Sequence, residues 1–326
     1  MCYSSLVEAS NRKLARTGAT EKIRRDAMNE LLRRSRTKLN DTPRKMPKWP
    51  RALEANFDSP TNPEDARISE QFAEIRAIRR TNLESELFKQ RTRLVKAERA
   101  VAKRKTTSAS EELRIATKKV EWHRRQLVEF DRRELTPADS RIYPFWYTLV
   151  IANVDEERVI MPMRYHCRPN GKPASYDKKF DGPYNARRDS LGKFWKDLFG
   201  KRHAVLVAWA FYENVALEDF ERRALRPGEK SRNLVLEFKP NSPEPMLLAC
   251  LWDHWESPGE EDLYSFAAIT DEPPSEVAAT GHDRCPIPIK PENLTAWLTP
   301  EGRSLEELQA ILDARERPFY QHRLAA

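Results

Sequence analysis

The sequence lacks the features that would place the protein in a membrane, outside the cell or at a zinc ion. No run approaches the roughly 18 apolar residues of a membrane-spanning helix. The N-terminus has no basic segment followed by an apolar one, as a secretory signal has. No CxxC spacing occurs among the four cysteines, which are Cys2, Cys167, Cys250 and Cys285. We therefore expect a cytoplasmic protein with free thiols, no metal, no cofactor and no membrane partner.

Positive charge is concentrated in one segment. Residues 9–139 carry 33 Lys and Arg against 20 Asp and Glu, a net charge of +13, whereas the other residues sum to −5. Such asymmetry indicates a polyanionic partner, with nucleic acid the first candidate. A solvated helical surface is the alternative explanation.

The basic segment, residues 9–139, reads as helical and polar. Prolines interrupt it between residues 43 and 63. Apolar residues then recur near heptad spacing on two helices, Phe72, Ile75, Leu83, Leu87, Leu94 and Val101 on the first and Leu113, Ala116, Val120, Leu127 and Phe130 on the second. The spacing predicts an antiparallel coiled-coil hairpin over about residues 66–134, which could self-associate or bind duplex or junction DNA.

The second half of the chain predicts an α+β domain with mostly antiparallel strands. Strands are predicted at Ile142–Val154, Arg158–Tyr165, Ala204–Tyr212, Asn233–Phe238, Met246–Trp252 and Tyr264–Thr270. Short helices are predicted at Ser190–Phe199, Pro274–Gly281, Pro291–Leu298 and Ser304–Ala314.

Cys2 directly follows Met1. If Met1 is removed, one residue holds a free α-amine beside a thiol, and the two together can close a thiazolidine ring on an aldehyde carbon. The α-amine has a reference pKa of about 7.7–8.0 against about 10.4 for lysine, so far more of it is neutral and nucleophilic near pH 7. Taken alone, Cys2 is better explained as an ordinary small residue at position 2 that has no chemical role.

Short motifs in the second half give Cys2 a context. In order they are YNARRDSL (184–191), FYEN (211–214), LACLWDHW (248–255), SFAAIT (265–270) and GHDRCPI (281–287). With MCYS at the start, their order and spacing resemble the SOS response-associated peptidase (SRAP) family. That family begins MCGR and has an NAR segment, an FYEW or FEW strand end, an AG(L/I)W strand and an H-x-RMP motif. The resemblance covers residues 1–8 and 140–326 and implies an SRAP-like domain with residues 9–139 inserted.

The resemblance implies recognition of abasic sites in single-stranded DNA, at the nucleoid. The amine of Cys2 would form an imine with the sugar aldehyde, and its thiol would close the thiazolidine. Asn185 would hold Cys2 or the sugar, Glu213 would act as general acid and base, and His282 would assist ring opening. Imine formation independently requires groups that remove and deliver protons, as a carboxyl and an imidazole can.

The resemblance also suggests how the DNA is held. Arg187 would pair with a flanking phosphate, and Arg284 would contact DNA or orient His282. Tyr165 would stack on a base or pack in the core, while Arg164 and Arg168 could meet phosphates.

The sequence departs from the family next to the nucleophile, where Tyr3-Ser4 replaces Gly-Arg and a phosphate contact could be lost. Two other functions therefore stay open. Cys2 could act as an N-terminal nucleophile peptidase, at least in removing Met1, or the chain could be a non-catalytic binding module that works through its helical hairpin.

Overall fold

The computed structural model describes residues 4–18, 20, 22–41, 46–180 and 182–325. Within these residues, twelve strands pair in one mixed sheet, and ten α-helices accompany them. Only β4–β9 and β5–β9 are parallel among the strand pairs found there. The α+β class with a mostly antiparallel sheet is confirmed.

The strands are β1 Ser4–Val7, β2 Arg141–Ile142, β3 Tyr147–Val154, β4 Glu157–Tyr165, β5 Asn185–Arg187, β6 His203–Ala216, β7 Asn233–Pro240, β8 Met246–Trp255, β9 Leu263–Asp271, β10 Cys285–Pro286, β11 Pro288–Ile289 and β12 Tyr320–Leu324. The helices are α1 Asn11–Gly18, α2 Arg25–Asp41, α3 Arg51–Ala55, α4 Pro63–Lys103, α5 Thr107–Asp131, α6 Tyr176–Lys179, α7 Leu217–Glu221, α8 Ser275–Ala278, α9 Leu294–Leu298 and α10 Leu305–Asp313. Each of the six predicted strands is present, but the first, predicted at Ile142–Val154, is interrupted because residues 143–146 separate β2 from β3.

Five strands pair in a closed ring. β6 pairs with β8, β8 with β9, β9 with β4, β4 with β3, and β3 again with β6. Apolar side chains from these strands fill the main core, among them Val150, Met161, Leu206, Leu248 and Phe266. Burial of these side chains supplies the main stabilising term and fixes the register, because a one-residue slip would expose alternate side chains.

The long strand β6 belongs to the ring over its first half only. His203–Ala208 pair with β8, whereas the second half lies between β1 and β7. In that half Ser4 of β1 faces Tyr212, and Glu213 faces Leu236 of β7. One continuous strand therefore connects the barrel core to the segment that carries FYEN.

The chain divides into two compact units. The first comprises the described residues of 1–31, 47–60 and 136–326, and the second those of 32–46 and 61–135. Parts of the predicted insertion, residues 9–31 and 47–60, thus belong to the unit that holds the sheet. Main-chain hydrogen bonds tie them there, from Arg24 N–H to Ile160 O at 2.9 Å and from Tyr147 N–H to Lys48 O at 2.7 Å.

The second unit contains the two long helices predicted from the sequence. Ion pairs join them, between Arg93 and Glu112 and, at 3.1 Å, between Arg80 and Asp131. α4 begins three residues earlier than predicted because Asn62 caps it by accepting a hydrogen bond from Asp65 N–H. The coiled-coil geometry itself stays a prediction.

The prediction of an α-helix at Ser190–Phe199 is wrong. A 3-10 helix covers Arg188–Ser190, and turns follow it. The N–H groups of Lys193 and Trp195 both donate to Ser190 O, so hydrogen bonds of different spans replace the i to i−4 ladder of an α-helix.

A search of the described residues for a helix long and apolar enough to span a membrane found none.

His203, at the start of β6, gives the fold a specific pH dependence. Its Nδ1 lies 3.0 Å from Trp297 O, its Nε2 accepts from Gly200 N–H at 2.9 Å, and burial lowers its pKa to about 3. The unfolded chain therefore binds a proton near pH 6.5 that the folded chain does not bind. We expect the free energy of unfolding to fall between pH 6.5 and 4 by up to about 1.4 kcal/mol per pH unit from this group.

Urea unfolding of wild type and His203→Gln across this range measures the effect. The variant lacks the titrating group, so its stability should decline less steeply with falling pH. If the free energy of unfolding fell equally steeply with pH in both proteins, His203 would not be the cause of the pH dependence.

The backbone at Gly281 lies so close to α7 that only glycine fits there. Its φ is +93°, and a Cβ there would lie 2.8 Å from Asp219 Cβ on α7. Gly228 has a similar φ of +82° but open space around it. We expect Gly228→Ala to cost about 1–2 kcal/mol of backbone strain and Gly281→Ala to cost clearly more, because it adds a steric clash. Thermal or urea unfolding compares the two variants, and equal losses would show that the contact with α7 is unimportant.

Candidate active site

Glu213 and His282 form a buried pair. Glu213 lies in the second half of β6 with 0% of its surface exposed, and His282, 6% exposed, directly follows Gly281. His282 Nε2 lies 3.0 Å from Glu213 Oε2. Burial raises the pKa of Glu213, and the hydrogen bond to His282 opposes that rise in part. A carboxyl group with a raised pKa can hold or release a proton near neutral pH.

The second ring nitrogen of His282 allows either tautomer. Its Nδ1 lies 2.9 Å from Arg284 O and 3.2 Å from Arg284 N–H. Nδ1–H can donate to that carbonyl while Nε2 accepts from a protonated Glu213. Alternatively, Nδ1 accepts from Arg284 N–H while Nε2–H donates to the carboxylate. The two arrangements differ by one proton, so the loop accommodates the pair both before and after it releases a proton, as general acid–base catalysis requires.

Strand β9 brings the NAR segment and the histidine loop to the same place in the sheet. On one edge of β9, β5 runs parallel, with Arg187 beside Thr270. On the other edge β10 pairs with β9, with Pro286 also beside Thr270. Asn185 is buried in β5 beside Ala268, and its N–H donates to Gly182 O at 3.2 Å. Two motifs about 100 residues apart in sequence thus flank one strand.

Arg187 and Arg284 converge on Asp189. Nη2 of Arg187 lies 3.0 Å from Asp189 Oδ2, and Nη2 of Arg284 lies 3.6 Å from the same oxygen. The Arg187 and Asp189 side chains are each about half exposed, so this ion pair is screened by water. Sequence reasoning did not identify Asp189. The available signal was its position in the YNARRDSL motif, two residues after Arg187.

Tyr165 is a core residue. Its ring is fully buried, stacked on Phe266 with centroids 5.2 Å apart and edge-on to Tyr184 at 5.6 Å. A DNA base could reach this ring only after the core opened. Its position favours the packing alternative over base stacking.

Arg164 and Arg168 are held inside the protein by Asp177. Arg164 Nη1 donates to Asp177 Oδ2 at 2.7 Å, and Arg168 Nε donates to Oδ1 at 3.1 Å. Burial alone would raise the pKa of Asp177, but the hydrogen bonds from the two guanidinium groups outweigh it and lower that pKa to about 2. The arrangement favours a structural role for both arginines over contact with phosphates.

Cys2 lies outside the described residues, but the strand that follows it is described. Ser4, separated from Cys2 in the sequence by Tyr3 alone, pairs with Tyr212, the neighbour of Glu213. Arg141 Nε donates to Ser4 Oγ at 2.9 Å. Sequence reasoning missed Arg141, whose one available signal was its place directly before the predicted strand Ile142–Val154.

The three described cysteines are unsuited to act as nucleophiles. Cys167, Cys250 and Cys285 are all buried, and burial raises the pKa of each thiol. A thiol with a raised pKa provides little thiolate near neutral pH.

One group within the described residues could offer three ligand atoms to a metal ion. These atoms, from His254, Glu256 and Asp262, lie within 4.8 Å of one another. Both carboxylates are exposed, and the His254 ring stacks on Tyr264 with centroids 4.1 Å apart. Exposed carboxylates beside a histidine are common on protein surfaces, so the group does not by itself define a metal site.

The chain is similar to known proteins in sequence. It is 32% identical to the abasic site processing protein YoqW of Bacillus subtilis (strain 168) over 143 residues, which are 42% of this chain and 58% of YoqW. It is 29% identical to the abasic site processing protein YoaM of the same organism over 199 residues, 59% of this chain and 80% of YoaM. The match thus spans somewhat over half the length of the first relative.

A solved structure of a protein from Bordetella bronchiseptica resembles this chain with a TM-score of 0.45 and 16% identity, over 60% of this chain and 90% of that one. The model of the family "SOS response associated peptidase (SRAP)" matches residues 98–324, which include the Asn185, Glu213 and His282 motifs. The chain belongs to the SRAP family.

Proposed function

We propose that this protein processes abasic sites in single-stranded DNA by forming a covalent thiazolidine crosslink through the mature N-terminal Cys2. The observation that carries the proposal is the buried Glu213–His282 pair, which lies where the N-terminal strand β1 joins β6. Ser4, two residues after Cys2 in the sequence, pairs with Tyr212, the neighbour of Glu213. This pairing supports Cys2 as the reacting residue.

Two further observations support the choice of Cys2. The relatives YoqW and YoaM are named abasic site processing proteins. The three described thiols are buried with raised pKa values. Of the four cysteines, Cys2 alone could combine a free α-amine with a thiol.

The proposed chemistry needs proton transfer at each step. The open-chain abasic sugar presents an aldehyde, and the Cys2 amine attacks its carbon. The nitrogen loses two protons and the oxygen departs as water, which leaves an imine. The thiol then adds to the imine carbon, its proton passes to the nitrogen, and the ring closes. Glu213 accepts and returns protons, while His282 Nε2, 3.0 Å from its carboxyl group, shuttles them.

Three other residues would hold the DNA and the sugar. Asn185, buried in β5 beside β9, would hold the Cys2 backbone or the sugar hydroxyl groups. Arg187 and Arg284 would bind backbone phosphates, for which the planar guanidinium is suited. The helical hairpin predicted at about residues 66–134 has a separate proposed role. It would either contact duplex or junction DNA or pair with a second copy of the chain.

Cys2→Ala should abolish adduct formation. Protein with a free N-terminal Cys2, incubated with a single-stranded oligonucleotide containing one abasic site, should give a band that migrates as a protein–DNA adduct after heating in detergent. Cys2→Ala and a form that keeps Met1 should both give none, since each lacks the 1,2-aminothiol. Cys250→Ala is the control, because it removes a buried thiol on β8 away from the proposed site residues.

An adduct formed equally by Cys2→Ala would contradict the proposal. Cleavage of a peptide in trans, without an adduct to abasic DNA, would favour the peptidase alternative.

Glu213→Gln should slow adduct formation by about 10²–10⁴-fold, the usual contribution of general acid–base catalysis. The matched control is Glu237→Gln, which changes a carboxyl group on β7 that is paired with Arg323 at 3.0 Å. Single-turnover rates across pH 5–9 measure the effect. The pH dependence due to the raised pKa of Glu213 should disappear in Glu213→Gln and persist in the control. A wild-type rate and pH profile in Glu213→Gln would exclude this role.

A further inference from the structure

Arg141 is held against the N-terminal strand by three contacts. Its Nε donates to Ser4 Oγ at 2.9 Å, and its guanidinium carbon lies 3.7 Å from the centre of the Tyr212 ring and 5.0 Å from that of Tyr143. β2 pairs with β1, with Leu6 opposite Arg141. These contacts fix the guanidinium plane and use one of its five N–H donors.

No carboxylate in the described part of the chain forms an ion pair with Arg141. Glu237, which faces Tyr212 on β7, is paired with Arg323 at 3.0 Å. Arg141 is also partly buried, so water screens its charge incompletely. A fixed cation with free donors and no carboxylate partner favours binding of an external anion.

The position of Arg141 indicates which anion. In the structure, a guanidinium from residue 141 stands beside the Ser4 side chain. Ser4 and Tyr212 face each other across β1 and β6, so Arg141 lies on the Tyr212 side of β6 and next to the strand that begins after Cys2.

We propose that Arg141 binds a backbone phosphate of DNA beside the abasic site. The inference rests on the proposed function, which brings DNA to Cys2. Glu213 alternates with Tyr212 along β6 and so points to the opposite face. Arg141 therefore lies away from the Glu213 carboxyl group, so its phosphate would belong to the strand that flanks the lesion and not to the reacting sugar.

The salt dependence of DNA binding tests the proposal. Binding of single-stranded DNA is measured by fluorescence anisotropy at several salt concentrations, in a Cys2→Ala background that prevents adduct formation. One lost phosphate contact should reduce the slope of log K against log salt by about 0.7. We expect this reduction and a weaker affinity for Arg141→Gln. Arg158→Gln, which loses hydrogen bonds to Gly18 O and Thr295 instead, should keep the wild-type slope.

Two further variants separate phosphate binding from a purely structural role. Arg141→Lys keeps the charge and should keep the slope. Ser4→Arg added to Arg141→Gln supplies a guanidinium from the facing strand and should restore the slope. An unchanged slope in Arg141→Gln, or a slope lost in Arg141→Lys as in Arg141→Gln, would overturn the proposal.

The outcome is independent of the crosslinking chemistry. If the wild-type protein forms no adduct but Arg141→Gln reduces the slope, the proposed function fails and the phosphate contact stands. If adducts form and the slope is unchanged, only the inference about Arg141 fails.

Discussion

The hydrogen bond between Glu213 and His282 is the interaction on which the candidate site depends. A fully buried carboxyl group is costly when ionised and alone, and it is tolerated where a partner can share its proton. The fold supplies that partner through a loop whose glycine approaches α7 more closely than any side chain allows. The loop also places the main-chain O and N–H of Arg284 within hydrogen-bond distance of the second imidazole nitrogen. The burial that stabilises the fold thus also prepares a carboxyl group for proton transfer.

β6 connects this chemistry to the core of the protein. Its first half is fixed on both edges within the closed ring, and its second half is paired with β1 and β7. Glu213 is therefore placed by backbone hydrogen bonds along a strand whose other end is anchored in packed side chains. Such support limits the displacement of a catalytic group, and a displacement of 1 Å can be costly to a reaction.

Sequence reasoning proposed the site residues from the resemblance that the ordered motifs carry. It identified Glu213 and His282, which the structure brings to 3.0 Å. It could not assign Arg164 and Arg168, because basic residues around a strand read the same whether they face solvent or a buried Asp177. An alternation of buried and exposed residues could not separate these possibilities in β4, because its second half is buried on both faces. β1 was missed because its partner β2 lies more than 130 residues away and four residues carry little pattern.

The distribution of charge along the sequence does not follow the division of the chain into two compact units. A net charge of +13 joins residues 9–139 into one block, yet residues 9–31 and 47–60 belong to the unit that contains the sheet. Main-chain hydrogen bonds such as that from Arg24 to Ile160 fix them there, and composition carries no record of them. The chain re-enters the sheet unit at Thr136, and Arg141 of that unit donates a hydrogen bond to Ser4. The N-terminal strand is therefore held by a residue more than 130 positions away in the sequence, a contact that no local pattern of charge or hydrophobicity records.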